Sequence, residues 1–359
     1  MSATDTNKHG PLTYVVEYVW VDGSGLQTRS KTRTVIRDSP VASVADVPLW
    51  NYDGSSCKQA PTSASEVTLT PVALFADPFR SSERALMALC STSDARTGAP
   101  SERGSQRHVA ERVFAAPSVA LQRCWYGLEQ EYVLLERTSG RPLGWPASPS
   151  EFPAPQGPYY CASNAIGRSV AEEHYQACLR AGIKVSGYNA EVMLGQWEYQ
   201  IGPCEALDAG DQLIMARYLL DRVCEMHNLV ATLDPKPIGG DWNGSGLHTN
   251  FSTFAMRHNV DDKAWRAILD GIERLRPLHG EHMALYGEGN DRRLLGSHET
   301  SDPKRFSHGV GDRSASIRIG EQIARERCGY IEDRRPASSA NPYLVTAALA
   351  KAVCMTDDE

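Results

Sequence analysis

The sequence predicts an α+β protein of two domains: a small sheet domain, then a larger one in which strands and helices alternate. Three observations carry this. The 359 residues exceed what one small core usually holds. Runs rich in Val, Tyr, Trp and Thr dominate from Leu12 to about residue 95. A stretch dense in Ser, Gly, Pro and charge, STSDARTGAPSERGSQ at 92–107, then interrupts the pattern. The expected division is 12–95 for the sheet domain, 96–107 for the linker and 108–359 for the second domain.

Taken in order, the polar residues 1–11 are expected to be disordered. TYVVEYVWVDGSG reads as a strand closing on a hairpin at Asp22-Gly23, with RSKTRTVI as its partner. Asp53-Gly54 in LWNYDGSS reads as a tight turn, and EVTLTPVALFAD and ALMALC complete the sheet. RHVAERVFAA is a short helix leading into the strand WYGLEQEYVLL at 125–135. SVAEEHYQACLRAG has helical spacing and stops at Gly182. In DAGDQLIMARYLLDRVCEMHN, Asp208 is a candidate N-cap, Leu213, Ala216, Leu220 and Val223 form one apolar stripe, and Met215 and Met226 are expected to pack. DDKAWRAILDGIERLRPLHGEHM is a helix broken near Pro277, and Pro342 opens the last one.

Composition narrows the function classes. With 41% hydrophobic and 23% charged residues the chain reads as globular, and no apolar run approaches the ~18 residues of a membrane span. The amino terminus lacks the basic and apolar regions of a secretory signal, so a cytoplasmic protein is expected. Nine cysteines without a C-x-x-C pair fit free thiols in a reducing compartment better than disulfides or a zinc site. A net charge of -7 without a basic tract argues against nucleic acid or an acidic membrane as partner.

The chemistry starts from the 125–135 strand. Glu129 and Glu131 are two apart, so both point to one face while Leu128, Gln130, Tyr132 and Leu134 point to the other. Two anions about 4 Å apart repel by roughly 4 kcal/mol at an effective dielectric of about 20. Cations between them would remove that penalty, although on its own a Glu-x-Glu pair is more often a solvated sheet face. NAEVMLGQWEYQIG adds Glu191 and Glu198, which need a bend at Gly195 to aim inward together. GGDWNGSGLHTNFS is a Gly-rich turn followed by a strand with His248, Asn250 and Ser252 on one face, and in GYIEDRRP Tyr330, Glu332 and Arg334 share a parity. Five glutamates and one histidine point to Mg2+ or Mn2+ rather than structural zinc. Arg292, Arg293, Arg313, Arg318, Arg334 and Arg335 bunch nearby in sequence, with Arg318 on a face with Ser314 and Ser316. Metals facing arginines suggest phosphoryl transfer, yet no P-loop or G-x-G-x-x-G occurs. The residues by themselves lead to a two-domain, metal-dependent, phosphate-handling enzyme.

In order and at compatible spacing, the segments EYVWVDG, RSKTRT, WNYDGSS, ADPFR, WYGLEQEY, PQGPYYC, NAEVM, GQWEYQIGP, DPKP, DWNGSG, HTNFST, HET, SIRI and EDRRP resemble the glutamine synthetase family, eukaryotic-type (type II) class, over nearly the whole chain. The resemblance implies an amino-terminal β-grasp domain and a larger catalytic domain on an antiparallel sheet with flanking helices. It implies active sites between subunits of a homo-oligomer, a decamer of two pentameric rings, and ATP-dependent joining of ammonium to glutamate through γ-glutamyl phosphate. Carried over by motif, Glu131, Glu191 and Glu198 would hold one metal, and Glu129, His248 and Glu332 the other. Asn243, Gly244, Arg293 and Arg334 would bind glutamate. Glu129, Glu198, Tyr199, Gln200, Ile201, Gly202, Pro203, Asn250, Phe251, Ser252, Arg313, Arg318, Tyr330, Ile331 and Glu332 would bind ATP. Asp53 would bind and deprotonate ammonium, Arg313 would face the transferred phosphate, and Glu299 would close the site.

The chain departs from the family pattern at Leu194, Leu247 and 338–341, none of them a matched ligand. Two other readings are open to the same resemblance: ligation of a larger amine, for which the anion at Asp53 is a poor fit, and a non-catalytic structural role, which loss of the metal glutamates or Glu299 would favour.

Overall fold

The computed structural model describes residues 10–260 and 262–356, so most of the expected disordered amino terminus lies outside the described residues. The chain divides into two compact units, one of Met1–Ser105 with Arg180–Ile183 and one of Gln106–Leu179 with Lys184–Glu359.

In the first unit β1 (Leu12–Val21) and β2 (Thr28–Arg37) form the expected hairpin. β3 (Trp50–Asp53), β4 (Glu66–Ala76) and β5 (Ala85–Asp94) complete a five-stranded sheet of order β2-β1-β5-β4-β3, in which β1 and β5 run parallel. This mixed sheet is consistent with a β-grasp domain. Val16, Tyr18, Trp20, Leu69 and Ala88 are the centre of its core. Strand structure persists further than the composition implies: β5 runs to Asp94 and Ser93 bridges back to Pro100, so the first part of the supposed linker is hydrogen-bonded turn.

The second unit is built on an eight-stranded sheet. Its strands are β6 (Trp125–Glu136), β7 (Val185–Ala190), β8 (Gln196–Glu205), β9 (Leu229–Thr232), β10 (Leu247–Ser252), β11 (His308–Val310), β12 (Ile317–Ile319) and β13 (Ile331–Asp333). The order is β11-β12-β13-β10-β6-β8-β7, with β9 paired to β6, and all pairs are antiparallel except β11 with β12. The periodicity finds the helices, which include Arg168–Ala181 ending before Gly182, Lys263–Leu275 and His279–Leu285 on either side of Pro277, and Pro342–Cys354 capped by Asn341.

The helix Leu207–Met226 differs in two details. Ala206, not Asp208, is the N-cap residue; the carboxylate of Asp208 instead pairs with Lys184 and accepts from Gln212. Met226 is exposed rather than packed, whereas Met215 is buried. Burial continues around most of this helix from Ala209 to Leu220, so its sequence shows a broad apolar surface rather than one stripe. No helix among the described residues is long and apolar enough to cross a membrane, and all nine cysteines are free.

Candidate active site

The site is laid out by strand register. Side chains directly opposite on neighbouring antiparallel strands share a face. Glu129 lies opposite His248 on β10 and Gln200 on β8; Glu131 lies opposite Glu198. On the next strands Asn250 faces Glu332, and Glu332 faces Arg318. Strands distant in sequence thus bring their carboxylates to one face, while Leu128, Gln130, Tyr132 and Leu134 alternate into the core on the other. The bend expected at Gly195 is a full hairpin turn between β7 and β8. Gly195 takes φ +86°, and Glu191 leaves the end of β7 as Glu198 sits within β8.

Ligand atoms of Glu129, His248 and Glu332 lie within 4.8 Å of one another, and so do those of Glu131, Glu198 and His248. His248 Nδ1 is the shared centre, 3.5 Å from Glu129, 3.9 Å from Glu131 and 3.8 Å from Glu332. Glu191 falls outside both groups. It accepts from the Asn189 amide and the Val192 N–H, and it lines the same cleft as Glu131 and His248.

Burial dominates the electrostatics. It pushes the Glu131 carboxyl up to about 7 and, helped by the neighbouring Glu131 charge, Glu191 up to about 8. Glu198 is driven well above the carboxylate range by burial and by Glu129, Glu131 and Glu191. Burial, then the Arg334 guanidinium, holds His248 well below its usual value, which leaves a neutral imidazole ready to ligate. Crowded carboxylates that resist ionisation without positive charge, around one neutral imidazole, fit hard divalent ions.

Arginines close the other side. Arg334 Nη1 donates to Glu332, and Arg318 Nη1 lies 2.8 Å from the other oxygen of the same carboxylate. Arg293 is buried, its Nη2 donating to the carbonyls of Arg334, Arg335 and Pro336 at 2.9–3.0 Å. Gly244 is required beside it, because a Cβ there would sit 2.4 Å from both Arg293 Cγ and Pro235 O. Asn243 Oδ1 accepts from Gln156.

The loop carrying Glu299 is strained: His298 and Glu299 take φ +51° and +64° in succession, an arrangement that costs about 1–3 kcal/mol per residue and persists only where surrounding contacts enforce it. Arg313 Nη1 lies 3.3 Å from Glu299 Oε1, Arg334 Nη2 donates to Glu299 O at 3.2 Å, and His298 Nε2 donates to Asp241 Oδ1 at 2.5 Å.

Beyond Glu129 the same face opens into a cavity of about 620 Å³. Gln200, Ile201, Gly202, Pro203, Asn250, Phe251, Ser252 and Tyr330 line it, drawn from three segments of sequence. Its size and its largely apolar walls with a few polar groups suit a nucleoside.

The family described as glutamine synthetase, catalytic domain, matches residues 103–268 and 290–355. The chain belongs to the glutamine synthetase family. A glutamine synthetase cytosolic isozyme 1-1 from Oryza sativa subsp. japonica is 48% identical over 340 residues, spanning 94% of this chain and 93% of its own. Root isozyme 5 of Zea mays is 51% identical, spanning 94% and 92%. This agrees with the eukaryotic-type class of the glutamine synthetase family. A solved structure described as apo GmaS without ligand superposes with a TM-score of 0.72 at 20% identity, covering 94% of this chain and 77% of that one, and bears on the fold alone.

Some of the residues singled out in the sequence stand apart from the cavity and the charged cleft. The side chain of Tyr199 packs in the core against Tyr132 and His174, on the face opposite Glu198, and Ile331 is likewise fully buried. Neither side chain lines the cavity. Arg292 pairs with Asp234 outside the charged cleft, and Arg335 forms a buried pair with Asp333, away from Glu332 and Arg334. Ser314 is engaged by Asp312, and Ser316 by Ser307.

Asp53 lies in the first unit at the end of β3, where the hydroxyl and N–H of Ser55 hold its exposed carboxyl below the usual range. Sequence reasoning missed Trp125, Ser186, Arg257 and Cys328, all lining the cavity. Trp125 has the parity of Glu129 and was findable; the others stand outside any pattern that points at the sheet face.

Proposed function

We propose that the glutamate, ammonium and ATP reaction of this family takes place on this sheet face, with the residues divided as follows. The chain is a glutamate–ammonia ligase: it makes L-glutamine, ADP and phosphate from L-glutamate, ammonia and ATP, and so assimilates nitrogen. The observation that carries the residue-level reading is the convergence of Glu129, Glu131, Glu198, His248 and Glu332 on one sheet face, next to a nucleoside-sized cavity that Glu129 lines.

Glu131, Glu191 and Glu198 hold one divalent ion, and Glu129, His248 and Glu332 the other, Mg2+ or Mn2+ in each case. When bound, these ions polarise the γ-phosphoryl group and neutralise its charge. Gln200–Pro203, Asn250–Ser252 and Tyr330 seat the nucleoside, and Arg313 and Arg318 face the phosphates. Asn243 and Gly244 line the glutamate pocket while Arg293 and Arg334 clamp its carboxylate and the phosphoryl oxygens.

The glutamate side-chain carboxylate attacks the γ-phosphorus, the bond to ADP breaks, and γ-glutamyl phosphate forms. Ammonia then adds to the acyl carbon and phosphate leaves. Glu299 shields the acyl phosphate from water and takes a proton from the nitrogen once ammonia has added to the acyl carbon. Asp53 binds and deprotonates ammonium in the site of a neighbouring copy. Its unit, as a β-grasp domain, completes that neighbour's site in a cytoplasmic homo-oligomer, a decamer of two pentameric rings.

The test is an assay with ATP, glutamate and Mg2+, in which ammonium is compared with methylamine and a polyamine. Ammonium-dependent ADP release matched by glutamine is expected. Preference for a larger amine would overturn the substrate, and no ADP release under any condition would overturn catalysis.

A further inference from the structure

The strained pair His298–Glu299 sits in a turn closed by the Thr300 N–H and hydroxyl on Ser297 O; three contacts tie it to other segments, and the proposed reaction engages two of them. Arg313, paired with the Glu299 carboxylate, and Arg334, bonded to the Glu299 carbonyl, are the groups that the reading above assigns to glutamate and phosphoryl oxygens. As those anions bind, both arginines are drawn towards a competing charge. The third contact, His298 Nε2 to Asp241 Oδ1, involves no residue with a substrate role.

Asp241 also stands two residues before Asn243, in a turn fixed from other sides. Gln156 donates to Asn243, and Gly244 packs directly against Arg293 and Pro235. The contact therefore joins the loop that carries Glu299 to the loop that lines the glutamate pocket. The Asp241 side chain is 71% exposed and that of His298 22%, so the link spans the outer rim of the cleft and is not a core contact.

We propose that Asp241 and His298 are positioning residues for Glu299: their contact keeps the Glu299 loop over the cleft while substrates occupy the arginines. The inference rests on the glutamine synthetase reaction assigned above. Without the link, Glu299 would be displaced for part of each turnover, water would reach the acyl phosphate, and ADP would form without glutamine.

The test compares native chain with Asp241→Ala, His298→Ala, their combination and Asp241→Asn, whose amide oxygen still accepts from His298. Glutamine formed per ADP, glutamate KM and ATP KM are measured for each. Either alanine variant is expected to lower glutamine per ADP, and raise glutamate KM, by about two- to fivefold, the range an exposed ion pair supports, with ATP KM unchanged. Asp241→Asn should restore most of both, and the double variant should be no worse than the worse single one.

A native chain that couples ADP to glutamine, with Asp241→Ala indistinguishable from it, would overturn the tether alone; so would additive losses in the double variant. A native chain that makes no glutamine would overturn the reaction, and the tether with it.

Discussion

At the open end of the sheet face, proposed to seat the nucleoside, the fold leaves a cavity of about 620 Å³, whereas the charged end leaves one of about 20 Å³. Both ends rest on β6 and its neighbours. The first is walled mainly by apolar groups, with Glu129, Gln200, Asn250 and Arg257 among them. The second is crowded because its charges have found each other: Arg318 and Arg334 both hold Glu332, and Arg313 holds Glu299. An open pocket needs only to be filled. On the roles proposed above, a self-paired cluster must exchange partners, with carboxylates going to cations and guanidiniums to phosphate and glutamate. Binding of the base and chemistry at the phosphate should therefore respond to different residues, with effects far larger at the charged end.

The strongest blow to that separation comes from Glu131→Gln, which keeps shape and removes the charge at the centre of the carboxylate group. Losing one preorganised electrostatic group commonly lowers kcat by about 10²–10³, and a fall near the upper figure is expected. Affinity for a fluorescent adenine nucleoside, followed by titration, should stay within about threefold, because the walls of the cavity are untouched. A parallel collapse of both would mean that the two ends are one cooperative unit. Glu299→Ala is the next in size. Glutamine formation should fall about 10²-fold, the usual share of a proton-transfer group, while ADP release continues. Unchanged glutamine per ADP would remove Glu299 from the role given to it.

The contrast also explains what the sequence could disclose. Strand parity made the shared face of Glu129 and Glu131, of His248, Asn250 and Ser252, and of Glu332 and Arg334 readable before any coordinates, because the period of two is a property of the backbone. Cross-strand register is not local. That Glu131 stands opposite Glu198, or Arg318 opposite Glu332, depends on pairings between strands 67 and 14 positions apart that no local periodicity fixes. Parity sets the Tyr199 side chain in the core, one residue from Glu198, although Ile201 and Phe251, of the same parity on their strands, still line the cavity. The role of Asp53 came only from resemblance, since an Asp-Gly turn has an ordinary explanation. The contact of His298 with Asp241 had no sequence signal: it joins a Gly-rich turn to a polar loop 57 positions away.

Proton uptake offers a milder test of the charged end. Glu131 and Glu191 are raised to about 7 and about 8 from 4.5. Between the lower and upper values the native chain then holds more protons than the unfolded one. Without divalent ions, stability must fall as pH rises across that window. Melting followed in a chelator should show Tm dropping by about 2 °C or more between pH ~5 and ~8. Mg2+ or Mn2+ should reverse the drop, and do so more at the upper end, since binding there releases fewer protons. A metal response that is the same at both pH values would mean that these carboxylates are not the ligands.

The smallest effect is expected at the open end. Tyr330 is half-exposed at the cavity wall, which it shares with Trp125, itself covered by the Arg257 guanidinium 4.2 Å above its ring. Stacking of a base on an aromatic ring is worth about 1–3 kcal/mol, and the lower figure suits a ring still open to water. Tyr330→Ala should therefore raise ATP KM by about fivefold, whereas Tyr330→Phe, which keeps the stacking surface, should change it little. Because the influence of Tyr330 on the self-paired charges is a minor electrostatic one on Arg318, kcat at saturating ATP, glutamate KM and glutamine per ADP should all stay close to native values. If removing this ring disturbed glutamate KM or coupling, the room for the base and the charge cluster could not be independent, and the partner exchange described for Glu332 would have to begin when the nucleoside enters.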